Sequence, residues 1–237
     1  MDVHPFILLQ VRSDTKDFLK TLEPKLASQS FSWLGFYFVL AVILHLCLHF
    51  FPEFFPNWLK ESGFQIFLLG ALALLFKQGW RPQLQCSGKS IAIFVGLVLL
   101  YFGLLWLLDF GAKLSGYTGV VSIVRVGHLE LILLIVVAPV LEEFFFRDYL
   151  FRAFVWQMNR IQRAAFFSSA FFMLAHFSLH PGAFVLGIVN CILFASLRSV
   201  WPAVAFHALS NLSLFFLPAY FPHLAEFVVA LQQLQIQ

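Results

Sequence analysis

Long apolar runs broken by short polar stretches run from residue 31 almost to the end of the chain, and the runs predict helices. Phe31–Phe51, Ile91–Leu108 and Leu129–Leu141 approach the ~20 residues that cross a hydrocarbon layer. Proline marks the proposed ends, with Pro52, Pro56, Pro181, Pro218 and Pro222 at or beside them. Eight spans follow, at 31–51, 64–77, 91–108, 129–156, 164–178, 182–197, 200–217 and 221–235. The expected fold is all-α, a polytopic membrane bundle of about eight transmembrane helices. Residues 31–237 form one transmembrane domain, with a core at 129–217. Residues 1–30 precede it, with Arg12, Lys16, Lys20 and Lys25 interleaved with Asp14, Asp17 and Glu23. Their spacing fits an N-terminal interfacial helix as well as a cytoplasmic tail. It does not fit a cleaved leader, which would carry an apolar core there.

Composition sharpens the membrane reading. Hydrophobic residues make up 61% of the 237 and charged residues 11%, where soluble domains carry about 25% charge. The net charge of +3 points to no nucleic-acid partner. Lysine and arginine alternate in number between successive loops, which places the N-terminus in the cytoplasm and the protein, multi-pass, in the cell (inner) membrane. Cys47, Cys86 and Cys191 lack a CxxC spacing and make neither a disulfide framework nor a thiolate metal site.

Against this background, two adjacent glutamates interrupt an apolar helix in Val140-Leu-Glu142-Glu143-Phe-Phe-Phe-Arg147. A charged side chain at a helix centre in a bilayer costs roughly 2.5–3.5 kcal/mol on insertion scales. The two carboxylates diverge by about 100° on a helix. Glu143 shares a face with Arg147 at i,i+4 and pairs with it, whereas Glu142 has no basic residue at i±3 or i±4. Glu142 is therefore the less compensated carboxylate, suited to general acid–base work. His176 ends the next helix after Phe172. His207 and Asn211, again i,i+4, lie on one face of the seventh helix, and two such donors are able to stabilise an oxyanion. Each group also has a structural reading, as a packing pair, an interfacial histidine or an interhelical clamp of ~0.6 kcal/mol per contact. His45 and His49 have no carboxylate beside them and read as packing or interfacial residues.

Glu142-Glu143-x-x-x-Arg147, Phe172-x-x-x-His176 and His207-x-x-x-Asn211, in that order on successive helices, resemble the CPBP family. Its members are CAAX proteases and bacteriocin-processing enzymes, also called Abi proteins. The resemblance covers roughly residues 129–217 and implies a glutamate-dependent intramembrane endopeptidase. It implies Glu142 as the general base, His176 as the group that positions water, Glu143 with Arg147 as orienting residues, and His207 with Asn211 as the oxyanion hole. The implied substrate is a protein or peptide cut near its C-terminus, lipidated or anchored in the lipid bilayer, with no cofactor and no metal. Two alternatives stay open: a zinc enzyme using His176, His207 and Glu142, and a non-catalytic immunity or scaffold membrane protein. No His-Glu-x-x-His is present for a zinc protease of the usual helical type. Asp109 and Asp148 are read at or near membrane boundaries and not as a catalytic pair.

Overall fold

The structure is a computed structural model that describes residues 57–85, 88–119, 128–176 and 181–234, together with Leu40, Ile43 and Cys47. The expectations for residues 1–30, for most of 31–51 including His45 and His49, and for the loop at 179–180 lie outside the described residues. Among the described residues every regular element is a helix and none is a strand. We label them α1 (Asn57–Lys77), α2 (Gly88–Leu114), α3 (128–158), α4 (Ile161–Ala175), α5 (Pro181–Leu197), α6 (Trp201–Tyr220) and α7 (Pro222–Leu234). The all-α reading holds. By length and apolarity, one of the described helices is suited to cross a membrane, at Ile91–Leu114; Gly63–Lys77, Ile161–Ala175 and Pro181–Leu197 are shorter apolar helices.

Helix α3 is not uniform. Five segments follow one another without a break: His128–Ile132, Leu133–Val137, Ala138–Glu143, Phe144–Phe151 and Arg152–Met158. The second and fourth are wide turns of the i→i+5 kind, which tend to occur at functional sites. The first of them ends two residues before Pro139, which has no N–H and whose ring crowds the carbonyl ladder below it. The backbone answers by widening, and the Ala138 N–H bonds the Leu133 carbonyl. Asn159 then ends α3 in the left-handed region at φ 51°, which asparagine tolerates, and its N–H caps the Val155 carbonyl at 2.9 Å.

The described residues cluster into two compact units, Met1–Gln85 with Leu141–Ala203, and Cys86–Val140 with Val204–Gln237. In the first, α3 from residue 141 onward packs on α4, α5 and α1. Leu150, Phe151, Phe154, Phe172 and Phe194 are wholly buried there. Helices α4 and α5 approach closely at Gly187, where an added Cβ would lie 2.8 Å from the Ser169 Cβ. Glycine lets the two backbones meet without displacing that serine.

In the second unit α2 and α7 are joined by reciprocal caps. The Asp109 carboxylate accepts from the Leu224 N–H at 2.8 Å and from His223 Nδ1 at 3.2 Å, at the start of α7. Glu226 of α7 accepts from the Gly119 N–H and the Thr118 hydroxyl just beyond α2. Such caps satisfy the unpaired amides of a helix start. They also correct two sequence boundaries. Asp109 lies inside α2 and not at its end, so the helix runs six residues past the expected 108, to Leu114. Helix α6 likewise runs past the expected 217 to Tyr220, with Pro218 inside its last turn, where the ring removes one i→i−4 hydrogen bond.

Candidate functional site

The first unit gathers Glu142, Glu143, Arg147 and His176, from two of the three motifs of the sequence pattern. Glu143 and Arg147 are both fully buried, with Nε 3.0 Å from Oε2, the i,i+4 pair expected from their spacing. The contact is one of opposed charges and not an aligned hydrogen bond. The guanidinium Nη1 and Nη2 have no hydrogen-bond partner among the described residues. The guanidinium instead lies 4.4 Å above the ring of Phe172 and 5.8 Å from that of Phe146. A desolvated cation over an aromatic face gains roughly 2 kcal/mol or more, which offsets part of its lost hydration.

Glu142 diverges from that pair, as its position one residue earlier dictates. Its side chain is 5% exposed, and Oε2 stands 3.7 Å from His176 Nε2. This distance is too long for a hydrogen bond. The ring of His176 is held from the other side, because Nδ1 lies 2.8 Å from the Phe172 carbonyl. A carbonyl only accepts, so Nδ1 carries a proton, and in the neutral ring Nε2 is an acceptor turned toward Glu142. His176 itself closes α4 and is 35% exposed, so one wall of the site opens outward.

Phe172 thus has two roles that its place in the sequence pattern did not reveal. Its ring supports Arg147 and its carbonyl orients His176. A second buried pair was also missed. Asp148 is fully buried, bonds Arg152 Nη1 at 2.9 Å and accepts from the Gln83 N–H at 3.0 Å. The i,i+4 spacing of Asp148 and Arg152 was the available signal. The Gln83 carbonyl in turn accepts from the Val200 N–H at 3.1 Å, one residue before α6 begins. Asn190 on α5 is wholly buried and its amide has no hydrogen-bond partner among the described residues. Nothing in the surrounding apolar sequence set it apart.

His207 and Asn211 belong to the second unit. His207 is buried, and Asn211 donates through Nδ2 to the Leu134 carbonyl at 2.8 Å. Among the described residues no three His, Cys, Asp or Glu side chains form a group able to hold a metal ion.

A buried carboxylate facing an oriented imidazole acceptor, beside a second carboxylate paired with arginine, has the chemistry to hold a water molecule and accept its proton. A family model described as Type II CAAX prenyl endopeptidase Rce1-like matches residues 124–213. The matched segment contains Glu142, Glu143, Arg147, Phe172, His176, His207 and Asn211, and it bears out the CPBP resemblance. The matched family is one of proteases. No curated protein and no solved structure matches the chain.

Proposed function

We propose that the protein is a glutamate-dependent intramembrane endopeptidase that cuts a protein or peptide near its C-terminus. The observation that carries the reading is the 3.7 Å approach of Glu142 Oε2 to His176 Nε2. Two acceptors at that separation do not bond each other, but one water can donate a hydrogen to each. Glu142 takes a proton from that water as its oxygen attacks the scissile carbonyl, and returns the proton to the leaving amine. His176 holds the second hydrogen and so aims the lone pair. Glu143 is turned to Arg147 instead, and the pair orients the site. His207 and Asn211 donate to the tetrahedral oxyanion.

The membrane setting belongs to the same reading. It rests on the apolar composition, on the span at Ile91–Leu114 and on the family resemblance. The chain is then multi-pass in the cell membrane with its N-terminus cytoplasmic, and the substrate is membrane-anchored or lipidated. Residues 31–237 act as one transmembrane domain around the core at 129–217.

The test uses purified protein in lipid nanodiscs and a membrane-tethered peptide with a cleavable C-terminal tail. Glu142→Gln keeps the shape and removes the proton acceptor, so turnover falls by about 10²–10⁴-fold while folding is retained. Unchanged turnover in Glu142→Gln would remove the base from the mechanism.

A further inference from the structure

We propose that Asn211 is a positioning residue that supplies, from α6, the amide N–H that Pro139 cannot. In the wide turn before Pro139 the Ala138 N–H reaches back five residues to the Leu133 carbonyl. Carried one residue further, the same register would pair residue 139 with the Leu134 carbonyl. Pro139 has no N–H, and the Leu134 carbonyl loses its backbone donor. Asn211 Nδ2 occupies that place at 2.8 Å.

The need is strongest in a bilayer. None of Leu133–Val137 is buried in the protein, and Leu134 is 37% exposed. In hydrocarbon no water satisfies an open carbonyl, so the donor has to come from a side chain. An asparagine fits, because its planar Nδ2 reproduces a peptide N–H and carries two hydrogens. One hydrogen is committed to Leu134. The other is left for the oxyanion in the mechanism above, with its direction set by the first. Asn211 therefore acts on the wide turn that leads, three residues after Pro139, into Glu142, and the bond fixes its own amide at the same time. The effect on turnover rests on the protease reading, but the hydrogen bond does not.

The test is a double-mutant cycle in nanodiscs with Asn211→Ala, Pro139→Ala and the pair. Alanine at 139 restores an N–H, and whether the turn stays wide or tightens to an ordinary helix the Leu134 carbonyl regains a backbone donor. Asn211→Ala alone should lower the folded-to-unfolded ratio and shift the isotope-edited infrared band of the Leu134 carbonyl toward the free position. In the double variant the band should return, and the ratio should recover by about 2- to 100-fold relative to additive losses. Asn211→Leu, which keeps the branched shape but has no donor, should behave as Asn211→Ala does in both backgrounds. Turnover in the double variant should remain below wild type, since the second N–H is still missing. Additive losses with an unmoved Leu134 band would overturn the proposal. A wild type that cleaves nothing would sink the protease reading, while the cycle and the infrared band would still decide the role of Asn211.

Discussion

The two wide turns of α3 lie on either side of the glutamate pair and are built in opposite ways. Leu133–Val137 contains no buried residue, and its cause is a single missing N–H at Pro139. Phe144–Phe151 contains no proline, and seven of its eight residues, Phe145 to Phe151, are buried. The second turn is kept by what surrounds it. The Ser168 hydroxyl donates to the Phe146 carbonyl at 2.7 Å, Phe172 supports Arg147, and the Gln83 N–H meets Asp148. One turn is a local response to backbone chemistry; the other stores charge inside a packed aromatic wall. A change in the first should be absorbed nearby, whereas a change in the second should be felt through the unit.

The largest effect expected is that of Arg147→Ala. It strands the Glu143 carboxylate in a site with no exposure, and breaking a buried pair costs about 3–5 kcal/mol. Denaturation in nanodiscs should show that loss together with loss of turnover. An Arg147→Ala protein as stable as its parent would mean that the buried turn is no more sensitive than the exposed one. Next comes Gly187→Ala, which acts on the α4–α5 contact beside the buried turn. The new Cβ meets the Ser169 Cβ at 2.8 Å, and forced repacking of this kind costs typically about 1–3 kcal/mol. A neutral Gly187→Ala would show that α4 and α5 separate freely.

The contrast between the turns also explains what was legible in the sequence. Pro139 is visible as a letter, and so is the i,i+4 relation of Glu143 to Arg147. The helix positions followed from apolar runs, though α2 continued past Asp109 because that carboxylate is consumed in capping α7. The order of Glu142, His176, His207 and Asn211 was legible as a family pattern, but their distances were not. Nothing in Phe144-Phe-Phe-Arg-Asp-Tyr-Leu-Phe151 marks a wide turn, since it depends on Ser168, Phe172 and Gln83 arriving from elsewhere in the chain. The burial of Asp148 was illegible for the same reason. A carboxylate near a run of arginines looks interfacial until the backbone of Gln83 is seen to cover it.

Asp148 and Arg152 give the next prediction, smaller because two losses oppose each other. Replacing a buried ion pair by apolar residues of like volume is often neutral or stabilising by about 1–4 kcal/mol. Here Asp148→Leu with Arg152→Met also leaves the Gln83 N–H without its acceptor, at about 1–3 kcal/mol. The double variant should therefore stay within about 2 kcal/mol of the parent, and Asp148→Leu alone should be clearly worse. If the double variant is no better than the single one, the arginine is held by more than Asp148, and the buried turn has a partner for it beyond this pair.

The smallest effect belongs to the exposed turn. Val136 is 55% exposed in a segment with no buried residue, so Val136→Ala removes little packing. On the membrane reading proposed above, the lost methyl groups exchange protein-to-lipid contacts for lipid-to-lipid ones, which are nearly equivalent. Alanine also has the better helix propensity, by a few tenths of a kcal/mol, because valine loses side-chain freedom in a helix. The turn itself is set by Pro139 and by the Asn211 bond to Leu134, and neither changes. Stability should shift by no more than about 0.5 kcal/mol, as for surface substitutions remote from caps, cavities and charges. The measurement is denaturation of Val136→Ala beside Arg147→Ala in the same nanodiscs. A loss above about 1 kcal/mol at Val136 would mean that this face of the wide turn is covered by protein, and the contrast between the two turns would then lie in their cause alone and not in their burial.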